Sequence, residues 1–281
     1  MNGGDLREAA ADEFWDKLNA AMGKDGLLTY RYLGRHSQEM HGLPVGTMKI
    51  RSDMRDWHGG IRPAALAIAT AETGWSDFNA VPAPVSAGLD IIDPGVGVRQ
   101  VTMRQRTLRL GRNLGFSRTI VADSDHPQRI IALTRGIGIK LGEAPPTGGQ
   151  PFPLPDDLED RDLPPLLRIF GGWRDGEGML RLAALTAQNR STSGSLHLGP
   201  IHVVFDAAAD DLARETGQRI IGWEVMFVAA GTVGPFLVEV ERLSAGGRLG
   251  AAEFSLIDEG RDSRLVASGS AAFGPLEGLP A

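Results

Sequence analysis

Two short stretches hold the residue types that could run a reaction. In the first, His58-Gly59-Gly60 stands directly before an apolar segment; in the second, Asp206 sits inside Val203-Val204-Phe205-Asp206-Ala207. A carboxylate in apolar company loses hydration and becomes a stronger base than one at the surface. It could activate a water or attack a carbonyl itself. Glycines at a helix start let a ligand approach the backbone, where the first N–H groups have no intrahelical partner. Aimed at a developing oxyanion, such a donor is worth on the order of 3–4 kcal/mol. His58 would orient the substrate or bond within its own loop. A different pairing is also available, because Asp53 stands five residues before His58 in Ser52-Asp53-Met54-Arg55-Asp56-Trp57-His58. Asp and His together could run general acid–base chemistry. Trp57 and Asp210 flank the two stretches as candidate substrate contacts, although Asp210-Asp211 also suits a solvated helix face.

Other chemistries find little support. There is no G-x-x-x-x-G-K-[ST] loop, no G-x-S-x-G elbow and no H-E-x-x-H helix. Cysteine is absent, which removes disulfides, thiolate metal sites and a thiol nucleophile. His36 and His41 lack an acid-rich ligand set around them, so no metal is expected. Gly136-Ile137-Gly138 falls inside a strand pattern and is no dinucleotide loop. Arg104 and Arg106 alternate on one strand face, with Arg99, Arg109 and Arg112 near; they could hold phosphates or simply be solvated. The formal net charge of −6 gives no basic footprint for nucleic acid. The first residues lack a basic and apolar leader pattern, and no uncharged apolar run approaches the ~20 residues that cross a bilayer. A soluble, cytoplasmic protein is expected.

The elements that must position these residues follow from periodicity. A helix is expected over 5–22 and a second, apolar nearly all round, over 61–73. Strands are expected over 85–92, 98–110, 115–121 and 129–141. Residues 142–165 are rich in Pro, Gly and Asp, as a linker is. The order then recurs, with a strand over 178–185, a helix over 200–215 and strands over 220–228, 233–243, 251–257 and 265–273. His58 and His197 open the two buried helices, Gly111-Arg112 and Gly247-Arg248 mark turns, and Arg129 and Arg264 begin the last strands. Three markers in the same order point to a duplicated unit of roughly 140 residues.

One buried helix followed by four long strands is an α+β layout, and a helix buried on all sides wants a sheet curled about it. The order "His-Gly-Gly, helix, strands with a Gly-Arg turn, final strand" resembles the hotdog fold of acyl-CoA thioesterases. The stretch GSLHLGPIHVVFDAAADDLA is similar to the phenylacetate-pathway and menaquinone-pathway members, whose pattern approximates G-x-x-H-G-G-x-x-x-x-L-A-[DE]. That resemblance implies a His followed nine residues later by an acid. His197 and Asp206 keep the spacing, whereas His58 meets Ala67. Nine helical residues span ~13 Å, too far for one carbonyl to touch both ends. The acid must come from the opposite helix, so one complete site would join His58, Gly59 and Gly60 to Asp206. Hotdog hydratases offer the rival resemblance, D-x-N-P-x-H, met here only at Asp53 and His58.

The resulting expectation is a double hotdog, two curled antiparallel sheets each wrapping a central helix and joined edge to edge. Residues 1–145 would hold the N-terminal helix and first domain, 146–165 the linker and 166–281 the second domain. The expected activity is acyl thioester hydrolysis at one composite site between the halves. Asp206, His58 and Gly59 would do the chemistry, with Gly60, Asp53, Trp57 and Asp210 contacting substrate. No cofactor is expected beyond CoA as part of the substrate. The partner is a small acyl thioester, not nucleic acid or membrane, and homo-oligomers are possible. Hydratase or lyase chemistry through Asp53 and His58, and a hydrophobic-ligand-binding pair without chemistry, are the alternatives.

Overall fold

The computed structural model describes residues 5–23, 26–33, 35–40, 43–72, 80–145, 158, 163–244 and 248–276. The first half contains α1 (Phe14–Met22), α2 (Leu28–Leu33), β1 (Arg35–Met40), β2 (Leu43–Lys49), α3 (Pro63–Glu72), β3 (Ala80–Ile91), β4 (Gln100–Leu110), β5 (Leu114–Asp123) and β6 (Ile130–Glu143). The second contains α4 (Leu166–Ile169), β7 (Gly172–Arg174), β8 (Leu180–Leu182), α5 (Leu198–Thr216), β9 (Gln218–Phe227), β10 (Phe236–Ser244), β11 (Gly250–Asp258) and β12 (Arg264–Pro275).

Helix α3 begins with Pro63, whose missing N–H costs nothing at a first helical position, and runs on through alanines that favour helix. Ala64, Ala65, Leu66, Ile68 and Ala69 are wholly buried, as an all-round apolar helix requires. Helix α5 is longer and ends at Gly217, whose left-handed φ of 65° closes it. Along the strands every second residue turns toward the helices. Val101, Met103 and Gln105 of β4 are buried while Arg104 and Arg106 between them are exposed.

The described strands form one 12-stranded antiparallel sheet where two were expected. Its order is β1-β2-β4-β5-β6-β3-β9-β12-β11-β10-β8-β7, so the same connectivity is read inward from both ends. The junction is the β3–β9 pair, from Ser86 opposite Met226 to Asp90 opposite Gly222. Hydrogen bonding across it makes the edges continuous and leaves no open strand at the centre.

The expected helix over 5–22 is broken into a 3-10 turn, Leu6–Glu8, and α1. Leu6 is the cause: its N–H donates to Thr192 O, and its side chain packs with Phe14 and Val81. The N-terminal segment is thereby docked on a loop of the second half. The expected linker lies largely outside the described residues, as does Gly247.

Candidate functional site

The two buried helices are entered through loops of the same backbone design. Before α3, Arg55 bridges Ile61, Asp56 N donates to Gly60 O, Gly59 N to Asp56 O and Arg62 N to Met54 O. Before α5, Arg190 bridges Leu196, Ser191 N donates to Ser195 O, Gly194 N to Ser191 O and His197 N to Asn189 O. Every one of these pairs is 135 residues apart: 56 and 191, 59 and 194, 62 and 197. Gly59 and Gly194 have matching φ values of 88° and 81°, in the left-handed region that favours glycine. The structural counterpart of His197 is therefore Arg62, not His58. Matching the two histidines sets the register four residues out, because backbone turns, not side-chain identity, fix the equivalence.

Arg62 is the residue that reaches across the halves. Its Nη1 donates to Asp206 Oδ2 at 2.8 Å, its Nη2 to Asp210 Oδ2 at 2.9 Å and its Nε to Arg55 O at 2.9 Å. Arg214 adds a second cation 3.5 Å from Asp210. The opening of α3 thus faces the middle of α5, while Leu198 at the start of α5 shares a small pocket with Ala67, Thr70 and Ala71 late in α3. The helices run in opposite directions.

Asp206 is 2% exposed, and its Oδ1 makes no well-aligned hydrogen bond among the described residues, the Ala64 N–H at the start of α3 being the donor near this carboxyl. Burial pushes its carboxyl up to about 6, although Arg62 pulls the other way; Asp210 pushes further up and the Ala64 N–H at the start of α3 pulls down. The same two carboxylates hold the Arg62 guanidinium above its ordinary value against its own burial. A carboxylate raised in this way is a better base than a surface acid.

The His58 loop is arranged differently from expectation. Asp56 Oδ1 accepts from His58 N at 3.2 Å and from Gly60 N at 2.8 Å, while Gly59 N is spent on Asp56 O. The loop N–H groups expected to serve an oxyanion are thus turned onto Asp56. His58 Nε2 lies 2.8 Å from Asp56 Oδ2 but out of hydrogen-bond alignment, and Trp57 sits edge-on to the His58 ring at 5.5 Å. A Cβ on Gly60 would come within 2.8 Å of His58 Cε1 and 2.9 Å of Asp56 Oδ2, so glycine there serves the turn itself.

Asp53 and His58 are not brought together as an acid–base pair. Both Asp53 oxygens accept from Arg51, at 3.1 and 3.2 Å. Arg51 also lies 4.9 Å from the Tyr32 ring centroid, and burial followed by Asp53 pushes the Tyr32 hydroxyl up to about 12. This cluster ties α2 to the loop before α3.

Sequence reasoning missed Arg62 and His202. A lone cation before Pro63 and a buried helix had to find carboxylates nearby, which was the available signal. His202 is wholly buried one helical turn before Asp206; its Nδ1 accepts from Trp223 Nε1 at 3.1 Å and its Nε2 has no partner among the described residues. Burial pulls it down to about 3. His197 caps α5 through Nδ1, which accepts from Gly199 N at 3.2 Å with Thr29 Oγ1 at 3.1 Å, and burial lowers it to about 4. Among the described residues no group of three or more metal-ligating side chains exists, and no helix is long and apolar enough to cross a membrane.

No family model and no curated protein matches the chain. Solved structures do. An acyl-CoA thioesterase II, TesB2, from Mycobacterium marinum superposes with a TM-score of 0.56 at 13% identity, covering 90% of this chain and 99% of that one. A conserved hot dog fold protein of unknown function from Alicyclobacillus acidocaldarius gives 0.56 at 9% identity, over 86% and 96%. A 12:0-ACP thioesterase from Umbellularia californica gives 0.52 at 12% identity, over 85% and 100%. The class that the fold defines is the hotdog fold. At these identities the likeness concerns the fold alone.

Proposed function

We propose that the chain is a double-hotdog acyl thioester hydrolase whose reacting group is Asp206. The carrying observation is the buried Asp206 carboxylate of α5, which faces the start of α3 with Oδ2 clamped by Arg62 and Oδ1 without a well-aligned hydrogen bond among the described residues. In this reading each half is one hotdog unit, and the constant spacing of 135 between the helix-entry loops supports an internal duplication. Oδ1 takes a proton from water as the water oxygen adds to the thioester carbonyl; collapse of the adduct then expels the thiol, which recovers that proton. Direct attack by Oδ1 on the carbonyl is the covalent variant. Arg62 keeps the carboxylate oriented and ionised. The small side chains of α3 (Ala64, Ala65, Ala67 and Ala69) suit a bulky or aromatic acyl group on size alone.

A second reading has its own observation. Asp206 is 2% exposed, and the pocket lies at the other helix crossing, where Ala71 occupies the position 135 residues before Asp206. In that reading the Arg62 cluster is a structural pin and the protein binds an acyl ligand without cleaving it. Thiol release over a panel of aliphatic and aromatic acyl-CoAs separates the two. Hydrolysis by the native chain with a loss of ~100-fold or more in Asp206→Asn supports the first reading. Equal turnover by Asp206→Asn removes Asp206 from the chemistry, and silence of the native chain favours binding alone.

A further inference from the structure

The face of the sheet turned away from the helices carries a charge pattern that neither the fold nor the proposed chemistry uses. Arg106, Arg118 and Arg135 lie directly opposite one another on β4, β5 and β6. The same cross-strand row continues through Gly88 of β3 to Glu224 of β9, then through Ser270 to Glu253 of β11 and Glu241 of β10. One row thus reads as three arginines on the first half and three glutamates on the second. Like charges directly opposite in a sheet repel. Arg135 is offset by Asp90 at 3.1 Å and Glu224 at 3.9 Å. Arg106, Arg118, Glu253 and Glu241 are exposed and form no ion pair among the described residues.

We infer that this face is a self-complementary interface for a second copy of the chain, related by a two-fold axis running along the strands at the β3–β9 junction. Such a rotation lays β5 of one copy over β11 of the other and β4 over β10, because the strand order is the same from either end. Arg118 then meets the partner's Glu253, and Arg106 the partner's Glu241. An axis along the row instead would set arginine on arginine, so the charges select one orientation. Side-chain size agrees with it. In the adjacent row Ile120 and Leu133, 44% and 43% exposed, share register with Ala272 and Ala251 across the junction. The rotation places these large apolar groups over small ones, as an isologous contact needs.

The full chain is to be weighed by sedimentation equilibrium at micromolar concentration, in low and high salt. The native protein is expected to be a dimer that loosens with salt. Arg118→Glu and Glu253→Arg alone should each raise the dimer dissociation constant at least about tenfold, since like charges then face each other twice. Mixed together they should form a heterodimer, in which one contact is swapped and the other is native. Circular dichroism of each variant checks that these exposed changes leave the fold intact. A monomeric native chain, a dimer indifferent to Arg118→Glu, or variants that fail to rescue each other would overturn the interface. Binding of acyl-CoA by a monomer, lost in Arg118→Glu, would do so too and would reassign the arginines to phosphate.

Discussion

Asp206 is pulled in two directions, by desolvation that favours its neutral acid and by Arg62 that favours its charge. Removing the cation should therefore be costly: Arg62→Met is expected to lose about 3–5 kcal/mol, because buried Asp206 is left without its counter-ion while Asp210 keeps only the more exposed Arg214. Denaturant unfolding measures this, and a change below ~1 kcal/mol would show that water already solvates the pair. The histidines of α5 make a separate, pH-dependent contribution. His197 and His202, pulled down to about 4 and 3, stay neutral when folded but take protons near pH 6.5 when unfolded. Stability should therefore fall as pH drops below ~6.5. Asp206 works with the opposite sign, since its raised value of about 6 favours the folded state in acid and loses that advantage as pH rises through 6. His202→Gln keeps an acceptor for Trp223 and removes one titration. The acid loss between pH 6.5 and 4 should flatten in that variant and steepen in Asp206→Asn, as read from unfolding midpoints. An unchanged profile in His202→Gln would mean that the folded protein admits a proton there.

Among the elements, those with a strong period were legible in the sequence. The alanine-rich α3 and the alternating β4, β5 and β11 announce themselves, since burial on all sides and burial on one face leave different patterns. The short β7 and the six-residue α2 carry too few residues to show a period, and their place depends on tertiary partners such as Thr29 against α5. The crossing of the two buried helices was also legible, because a helical rise of 1.5 Å per residue already put the opening of one opposite the middle of the other, where Arg62 now reaches Asp206. Its occupants were not. His58 and His197 look equivalent as letters, yet the left-handed turns at Gly59 and Gly194 show that Arg62 and His197 correspond. Gly59→Ala and Gly194→Ala should each cost about 1–2 kcal/mol from that conformation alone, with equal losses marking equivalent turns. Gly199→Ala adds a Cβ that runs into Thr29. Its midpoint should fall, and Thr29→Gly in the same chain should recover part of the loss; no recovery would place the strain elsewhere.

The whole molecule is organised about the β3–β9 junction, where strand pairing and the Arg62 cluster both cross between halves. Hydrogen exchange should show the amides of 86–90 and 222–226 opening together, at a free energy close to global unfolding. Independent opening of one half would mean that the junction does not couple them. Hydrolysis by Asp206 requires substrate to reach the crossing where α3 opens toward it, and not the pocket beside Ala67 and Ala71. A crystal structure with a non-cleavable thioether analogue of an acyl-CoA tests this most directly. The account predicts the atom that replaces the thioester carbonyl carbon within reach of Asp206 Oδ1, directly or through one water. An analogue lodged only against Ala67, Ala71 and Leu198, with the Arg62–Asp206 pair intact, would contradict it.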